Sequence, residues 1–138
     1  MKKWGPLLDN YDIQGCYAQT EIGHGSDVTG LKTTATFDKA ADEFVIHTPT
    51  PDATKWWPGG LGKYANFAIV FANLMIEKDG KMTKNGMYPF LVQLRDRDTH
   101  KHMRGIKTGD LGPKFGYNSS DNGWLTMDHV RVPRHHML

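Results

Sequence analysis

The sequence predicts an all-β fold, a barrel or sandwich of about six or seven short strands with little helix. Short runs of β-branched and aromatic residues alternate with glycine and proline, which number 15 and 7 among the 138 residues. This punctuation leaves little room for long helices. A composition of 38% apolar and 23% charged residues is typical of one globular domain with a single core.

Five runs carry the strand prediction, and turn residues bound each of them. Residues 67–76 could form a buried helix by periodicity alone, but their β-branched and aromatic content and the Asp79-Gly80 pair after them favour a strand. The last run should be irregular near Asp128 and His129. The only helical candidate is the first dozen residues, where Pro6 weakens the pattern. The predicted strands are residues 31–37, 43–47, 67–76, 87–94 and 124–132.

Turns and core positions follow from the same pattern. Residues 38–42 should form a turn, and Asp79-Gly80 and Asn85-Gly86 are both hairpin or turn signals. Residues 109–123 are polar and rich in glycine, so we expect a long loop there. The side chains expected to be buried are Phe44, Ile46, Phe67, Ile69, Val70, Phe90, Val92, Leu125 and Val130.

Charge and cysteine content exclude several classes of protein. Seventeen basic and fifteen acidic residues give a net charge of +2, which argues against a nucleic-acid-binding protein. The single cysteine, Cys16, cannot form an internal disulfide, which favours a reducing compartment. No apolar run is long enough to span a bilayer. Residues 1–6 do not begin a signal peptide, and we recognise no targeting signal.

The histidines do not predict a metal site. None of the seven shows an HxxxH spacing, and there is no cysteine pair to complete a zinc site. The sequence also lacks a phosphate-binding P-loop and a dinucleotide-binding GxGxxG motif between a strand and a helix. We therefore expect no bound metal.

The first candidate functional segment is residues 19–27, QTEIGHGSD. Its glycines would let backbone N–H groups approach an anion or the edge of a heteroaromatic ring, and its side chains supply further hydrogen bonds. The alternative is a glycine-rich turn that Ser26 or Asp27 caps.

The second candidate segment is residues 55–63, KWWPGGLGK. Adjacent tryptophans in a strand point to opposite faces, so one can join the core while the other stacks on a ligand. The glycines leave space for a flat ligand to approach the backbone. The alternative is that both Trp56 and Trp57 are core or interface residues.

Four blocks in this order resemble the acyl-CoA oxidases, in a likeness that runs from about Trp4 to the C-terminus. The acyl-CoA dehydrogenases share a looser form of the first block, whereas the second and third indicate the oxidase branch. The blocks are CYAQTEIGHGS at 16–26 with TTATFD at 33–38, KWWPGGLGK at 55–63, GDLGPKFGYN at 109–118 with DNG at 121–123, and DHVRVPR at 128–134.

The resemblance implies that residues 1–138 are the middle β-barrel domain of such an enzyme, without the helical domains that precede and follow it in the family. The family uses FAD to oxidise a fatty acyl-CoA to the trans-2-enoyl-CoA. Oxygen accepts the electrons and becomes hydrogen peroxide, in the first step of peroxisomal β-oxidation. The expected partners are therefore acyl-CoA and oxygen, in a homodimer, in a peroxisome or a glycosome-like organelle, with neither nucleic acid nor membrane.

The resemblance also assigns roles to single residues. Thr20 and Gly59 match the family's flavin contacts, and Gln19, beside Thr20, is assigned to the same cofactor-binding site. Trp57 falls where the dehydrogenases place a tryptophan against the flavin. Ser26 matches a serine near the acyl-CoA thioester. No catalytic residue is assigned, because the family's catalytic glutamate belongs to the C-terminal helical domain. We therefore expect the isolated chain to be inactive.

Two alternatives remain open, the β-domain of an acyl-CoA dehydrogenase and a non-catalytic barrel used for binding or assembly. In either case, we expect the loops that face the flavin to be exposed to water in this chain. Trp56, Trp57 and Leu61 should then form part of an apolar patch.

Overall fold

Residues 4–138, which are the residues that the computed structural model describes, form nine β-strands and one short α-helix. The helix α1 (Gly5–Asp9) carries Pro6 in its first turn, where proline is tolerated. The rest of the predicted helical segment and of the signal-peptide region, residues 1–3, lies outside the described residues. The strands are β1 (Gly15–Ala18), β2 (Thr34–Asp38), β3 (Glu43–His47), β4 (Lys55–Gly59), β5 (Phe67–Lys78), β6 (Lys81–Gln93), β7 (Ile106–Asp110), β8 (Asn122–Met127) and β9 (Val130–Pro133).

The strands form two sheets around one core. The larger has six strands in the order β1-β5-β2-β3-β9, with β6 antiparallel along the other edge of β5. Both β1 and β2 run parallel to β5 and pair with successive parts of it. The smaller sheet has three antiparallel strands in the order β4-β8-β7.

The two sheets are joined at the turn between β8 and β9, which confirms the irregularity predicted near Asp128 and His129. His129 has a φ of 51°, and this left-handed residue turns the chain from the small sheet into the large one. Thr48, just after β3, donates its N–H to Met127 O at the end of β8. The sheets therefore curl around a shared core, which confirms the all-β, barrel-like prediction.

The core is apolar and rich in aromatic contacts. The rings of Phe44 and Phe90 meet edge to face at 5.0 Å, a preferred geometry for aromatic pairs. Eight of the nine side chains predicted to be buried are buried. The exception is Ile69, which is half-buried because it points to the outer face of the large sheet, between the inward-facing Ala68 and Val70.

Three strands, β1, β4 and β7, have no counterpart among the five predicted runs. The sequence of β7, Ile106–Asp110, includes Gly109, which we assigned to a loop. Gly109 pairs with Trp124, and a Cβ on Gly109 would lie 2.6 Å from the indole nitrogen. Glycine is needed in this strand because the Trp124 ring lies across it. The loop therefore begins after Asp110.

The Asn85-Gly86 pair forms a bulge inside β6 rather than a turn, so the turn predicted there is wrong. Asn73 pairs with Met87 and Met75 with Lys84, which leaves one extra residue on β6. Gly86 has a φ of +94°, so a residue type that signals turns also suits a bulge. The Asp79-Gly80 turn is confirmed, because it joins β5 to β6 with positive φ at both residues.

No helix within residues 4–138 is long and apolar enough to cross a membrane.

Candidate functional site

The structure brings the first two candidate segments side by side. Glu21 forms an antiparallel bridge with Lys55 at the start of β4. Trp56 donates its N–H to Thr20 O at 2.9 Å, and Ile22 donates to Thr54 O at 3.0 Å. Segments far apart in sequence therefore form one surface, with Thr20 next to the two tryptophans.

Contacts on both sides fix Gln19 and Thr20. The Tyr17 hydroxyl donates to the side-chain oxygen of Gln19 at 2.8 Å, and Lys55 Nζ donates to the Gln19 carbonyl at 2.9 Å. Thr20 is half-buried. Its carbonyl accepts from Trp56, but its N–H has no protein acceptor among the residues described. One oriented donor is therefore left for a ligand.

Trp57 is exposed to solvent, and its backbone conformation is strained. It has a φ of 70°, and the residue is 60% exposed. A left-handed conformation is unusual for a bulky residue and costs about 1–3 kcal/mol. Asn122 stabilises it by donating its side-chain amide to Trp57 O at 2.8 Å. Asn122 lies in the DNG motif, but nothing in its local sequence indicates this contact.

The prediction that one of the two tryptophans joins the core is wrong, because β4 contains a bulge. Its pairing with β8 slips by one residue between Trp56 and Gly59, and this interrupts the alternation of inward and outward side chains. Lys55 and Pro58 point inward, and both Trp56 and Trp57 are exposed.

The fold itself does not require glycine at position 59. The φ of Gly59 is not positive, and a Cβ built on it would meet nothing within 4 Å. Its neighbour Gly60, in contrast, has a φ of +80° and packs against the ring of Tyr64. Open space in front of the Gly59 backbone is what a flat ligand in close contact with β4 needs.

The turn that follows β4 is held in place by contacts with buried residues and with a neighbouring segment of the chain. Leu61 is fully buried, so it does not belong to the exposed apolar patch that we predicted. The buried side chain of Arg95 donates to Leu61 O at 3.1 Å and to Gly62 O at 3.2 Å. Gly60 N donates to Asp121 O at 2.6 Å. Only Trp56 and Trp57 are left as the exposed part of the patch.

Ser26 and Asp27 have different roles in the loop after Glu21. Asp27 accepts from Gly30 N at 3.0 Å and from the Thr29 hydroxyl at 2.6 Å, so it caps the short 3₁₀ turn Val28–Gly30. These hydrogen bonds lower the pKa of Asp27. Ser26 is exposed, and within residues 4–138 no hydrogen bond joins it to Thr20 or Gly59. The turn-cap alternative therefore holds for Asp27.

Burial shifts the pKa values of two ionisable side chains beneath this surface. Desolvation lowers the pKa of Lys55 to about 8, although Glu21 opposes that shift. Burial raises the pKa of the Cys16 thiol to about 12, so Cys16 is not a reactive thiolate at neutral pH. The site therefore offers hydrogen bonds, an exposed indole and open space.

A separate cluster of three side chains lies at the turn between β8 and β9. His129 Nδ1 lies 2.6 Å from Asp128 Oδ1, His47 Nδ1 lies 3.8 Å from the same oxygen, and the two imidazoles stack at 4.0 Å. The hydrogen bond with His129 lowers the pKa of Asp128. Histidine spacing could not reveal this cluster, because His47 comes from another strand.

Trp57 should respond to truncation in an unusual order. We expect Trp57→Gly to be more stable than Trp57→Ala by about 1 kcal/mol, because glycine adopts a positive φ without strain. Neither change should reach the roughly 3–5 kcal/mol of a truncated core aromatic. Urea unfolding of the two variants measures the difference.

Trp56 is the matched control, since it is also exposed but has no positive φ. There the order should reverse, with Trp56→Ala more stable than Trp56→Gly by about 0.5–1 kcal/mol. The same order at both positions would show that backbone strain at Trp57 has no energetic consequence.

Comparison with known proteins identifies the family. Residues 16–130 match the family model for the acyl-CoA dehydrogenase middle domain. The chain is 56% identical over 140 residues to peroxisomal acyl-coenzyme A oxidase 1 of Arabidopsis thaliana. The alignment covers 99% of this chain and 20% of that protein. It is 52% identical over 133 residues to peroxisomal acyl-coenzyme A oxidase 1 of Dictyostelium discoideum, covering 95% of this chain and 19% of that protein.

Solved structures agree with these relatives. Acyl-CoA oxidase 1 of Arabidopsis thaliana superposes with a TM-score of 0.90 at 54% identity, over 99% of this chain and 21% of that one. Acyl-CoA oxidase-2 of Caenorhabditis elegans, bound with FAD, ascaroside-CoA and ATP, superposes with a TM-score of 0.93 at 49% identity, over 99% and 20%. The chain thus spans about a fifth of the length of the relatives it matches. It belongs to the acyl-CoA dehydrogenase middle-domain family, on the acyl-CoA oxidase branch.

Proposed function

We propose that this chain is the flavin- and acyl-CoA-facing middle domain of a longer, FAD-dependent acyl-CoA oxidase. The observation that carries the proposal is a surface where the Thr20 N–H, which has no acceptor within residues 4–138, lies beside exposed Trp57 and open Gly59. A relative with a TM-score of 0.93, acyl-CoA oxidase-2 of Caenorhabditis elegans, is a structure bound with FAD, ascaroside-CoA and ATP. In this proposal, helical domains outside the chain complete the enzyme.

The residues at this surface fit a flavin. A flat aromatic ring system needs a surface without side chains, an edge donor and a stacking partner. Gly59 leaves the space, the Thr20 N–H is the donor, and Trp57 is the exposed indole. Gln19 is held next to Thr20 by Tyr17.

Bound FAD would accept the hydride from the acyl chain and pass the electrons to oxygen. The Thr20 N–H would donate a hydrogen bond to the ring edge where negative charge develops, and a preformed donor would cost no reorganisation at that moment. Trp57 would stack against the ring and exclude water from it. Ser26 is exposed on the loop that follows Thr20, and in this proposal it would contact the thioester of the acyl-CoA.

None of the three glutamates suits the role of catalytic base. Glu21 is buried in an ion pair with Lys55, and Glu43 accepts from Arg131 Nη1 at 3.1 Å. Glu77 is exposed on the β5–β6 arm. We therefore propose that the base that removes the α-proton comes from outside this chain.

The remaining parts of the proposal concern partners and location. Acyl-CoA is the substrate class, oxygen is the electron acceptor, and the complete enzyme is a homodimer, as the family resemblance implies. The relatives from Arabidopsis and Dictyostelium are named peroxisomal, so we propose a peroxisomal location.

The isolated chain should bind acyl-CoA and FAD weakly at most and should show no turnover, because it contributes no base. Peroxide release with saturating FAD and palmitoyl-CoA tests this, with the complete oxidase measured in parallel. Turnover by the chain alone would contradict the proposal that the catalytic base comes from outside this chain. A complete enzyme that oxidises palmitoyl-CoA but passes electrons only to a carrier protein, without releasing peroxide, would instead indicate a dehydrogenase.

A further inference from the structure

An ion pair between Glu21 and Lys55 is buried directly behind the proposed flavin surface. Both side chains are fully inaccessible to solvent, and Lys55 Nζ lies 3.0 Å from Glu21 Oε1. The two residues face each other between the backbone bonds Trp56 N–Thr20 O and Ile22 N–Thr54 O. This is the non-hydrogen-bonded position of an antiparallel pair, where side chains come closest.

Every hydrogen of the Lys55 ammonium has an acceptor. Besides Glu21 Oε1, Nζ donates to Gln19 O at 2.9 Å and to Phe71 O at 2.7 Å. An ammonium has three donors, so its position is fully determined.

The Glu21 carboxylate is equally constrained. It accepts from Lys32 N at 2.8 Å, from Thr33 N at 3.0 Å and from the Thr33 hydroxyl at 2.5 Å. Lys32 and Thr33 therefore hold the Glu21 carboxylate in place, and the carboxylate in turn holds the Lys55 ammonium.

Such a pair is a poor source of stability. Removing two charges from water costs several kcal/mol per ion, and apolar residues of similar volume are often as stabilising or more so. Two exposed tryptophans and an open glycine lie on the other side of the same strand segment. The arrangement is better explained by what it positions than by what it stabilises.

The positioned group is the peptide between Gln19 and Thr20. Residues 4–138 contain no cis peptide bond, and in a trans peptide the C=O and the following N–H point in opposite directions. Because Lys55 fixes the Gln19 carbonyl inward, the Thr20 N–H points away from the core. A cation on the carbonyl also polarises the peptide and makes that N–H a stronger donor.

We propose that Lys55, paired with Glu21, is a positioning residue that aims and polarises the Thr20 N–H toward the edge of the flavin, and so favours the reduced cofactor. This inference rests on the proposed function. The Lys55 pKa of about 8 agrees with it, because the side chain stays mostly protonated at neutral pH despite its burial.

The test uses the complete acyl-CoA oxidase that contains this segment, loaded with FAD. The Lys55→Met variant removes the cation but leaves Glu21 buried and unpaired, which strongly destabilises the fold. The decisive variant is therefore Glu21→Gln/Lys55→Met, which removes both charges and keeps the volume. Lys32→Met is the matched control, because Lys32 Nζ pairs with Asp52 at 2.5 Å in an exposed ion pair and has no contact with Gln19.

The two-electron reduction potential of the bound flavin is the main measurement, with thermal unfolding of each variant alongside. We expect the double variant to fold and retain FAD, with the ratio of reduced to oxidised flavin lowered at least tenfold, about 30 mV. Its kcat should fall while KM for acyl-CoA stays constant, and Lys32→Met should match the wild type in all of these measurements.

The outcomes separate the two proposals. A double variant that fails to fold, or one that folds with the wild-type potential, overturns the positioning role, since the pair would then be only structural or inert. A complete wild-type protein that does not bind FAD or oxidise acyl-CoA overturns the proposed function and this inference together.

Discussion

Replacing Arg95 with methionine should destabilise the domain by about 3–5 kcal/mol, the scale of a broken buried polar network. Arg95 is 3% exposed. Its guanidinium donates to the Thr108 hydroxyl at 2.6 Å and to backbone carbonyls of the turn after β4, namely those of Leu61, Gly62 and Ala65. Methionine fills much of the volume but satisfies none of these acceptors, and each buried acceptor left unpaired costs about 1–3 kcal/mol.

Part of that loss should be offset, because burying the guanidinium is itself costly. Desolvation lowers the pKa of Arg95, and methionine avoids that penalty. Urea unfolding of the 138-residue chain gives the net value. The control is Arg97→Met, two residues further on and exposed, where the change should stay within about 0.5 kcal/mol. If Arg95→Met were as stable as Arg97→Met, water would have to replace the guanidinium at no cost.

The fold class could be predicted because strand signals in this chain are local. The run at 43–47 coincides with β3, and the run at 67–76 is extended by only two residues in β5. The strands that were missed depend on partners elsewhere. The strand β7 contains a glycine that only the Trp124 ring explains, and no local pattern contains that information.

The bulges show a second limit. The sequence predicts a turn at Asn85-Gly86 and a regular strand at Trp56-Trp57, but both pairs lie at a shift in register. A single extra residue reverses which side chains face inward. Sequence periodicity cannot place that residue, because the register is set by the opposite strand.

The candidate site was predicted from a resemblance more than from the residues. The motifs pointed to Thr20 and Gly59, but not to the groups that hold them. Lys55 directly precedes the two tryptophans. A lysine is expected at the surface from its charge, yet Lys55 is fully buried. Its burial follows from pairing with Glu21 and from the carbonyl of Phe71, which are long-range contacts that the sequence order does not reveal.

Substituting valine for Gly59 should abolish most FAD binding without harming the fold. The φ of Gly59 is compatible with any residue, and a Cβ there meets nothing within 4 Å. A β-branched residue also suits a strand, so the thermal midpoint of the flavin-free protein should stay the same or rise slightly. The new side chain would occupy the space proposed for the flavin. We expect the FAD dissociation constant of the complete enzyme to rise at least about 100-fold, or about 2.8 kcal/mol.

Gly15→Val is the matched control for this substitution. Gly15 also lies in a strand, and a Cβ on it also meets nothing within 4 Å, but it belongs to β1 rather than β4. The two variants should therefore have similar thermal midpoints, whereas fluorescence titration should show that only Gly59→Val weakens FAD binding. If Gly59→Val retained FAD as well as Gly15→Val, the open space over β4 could not be the flavin site. If instead Gly59→Val unfolded, glycine would be required there by packing that the open space in front of the backbone does not show.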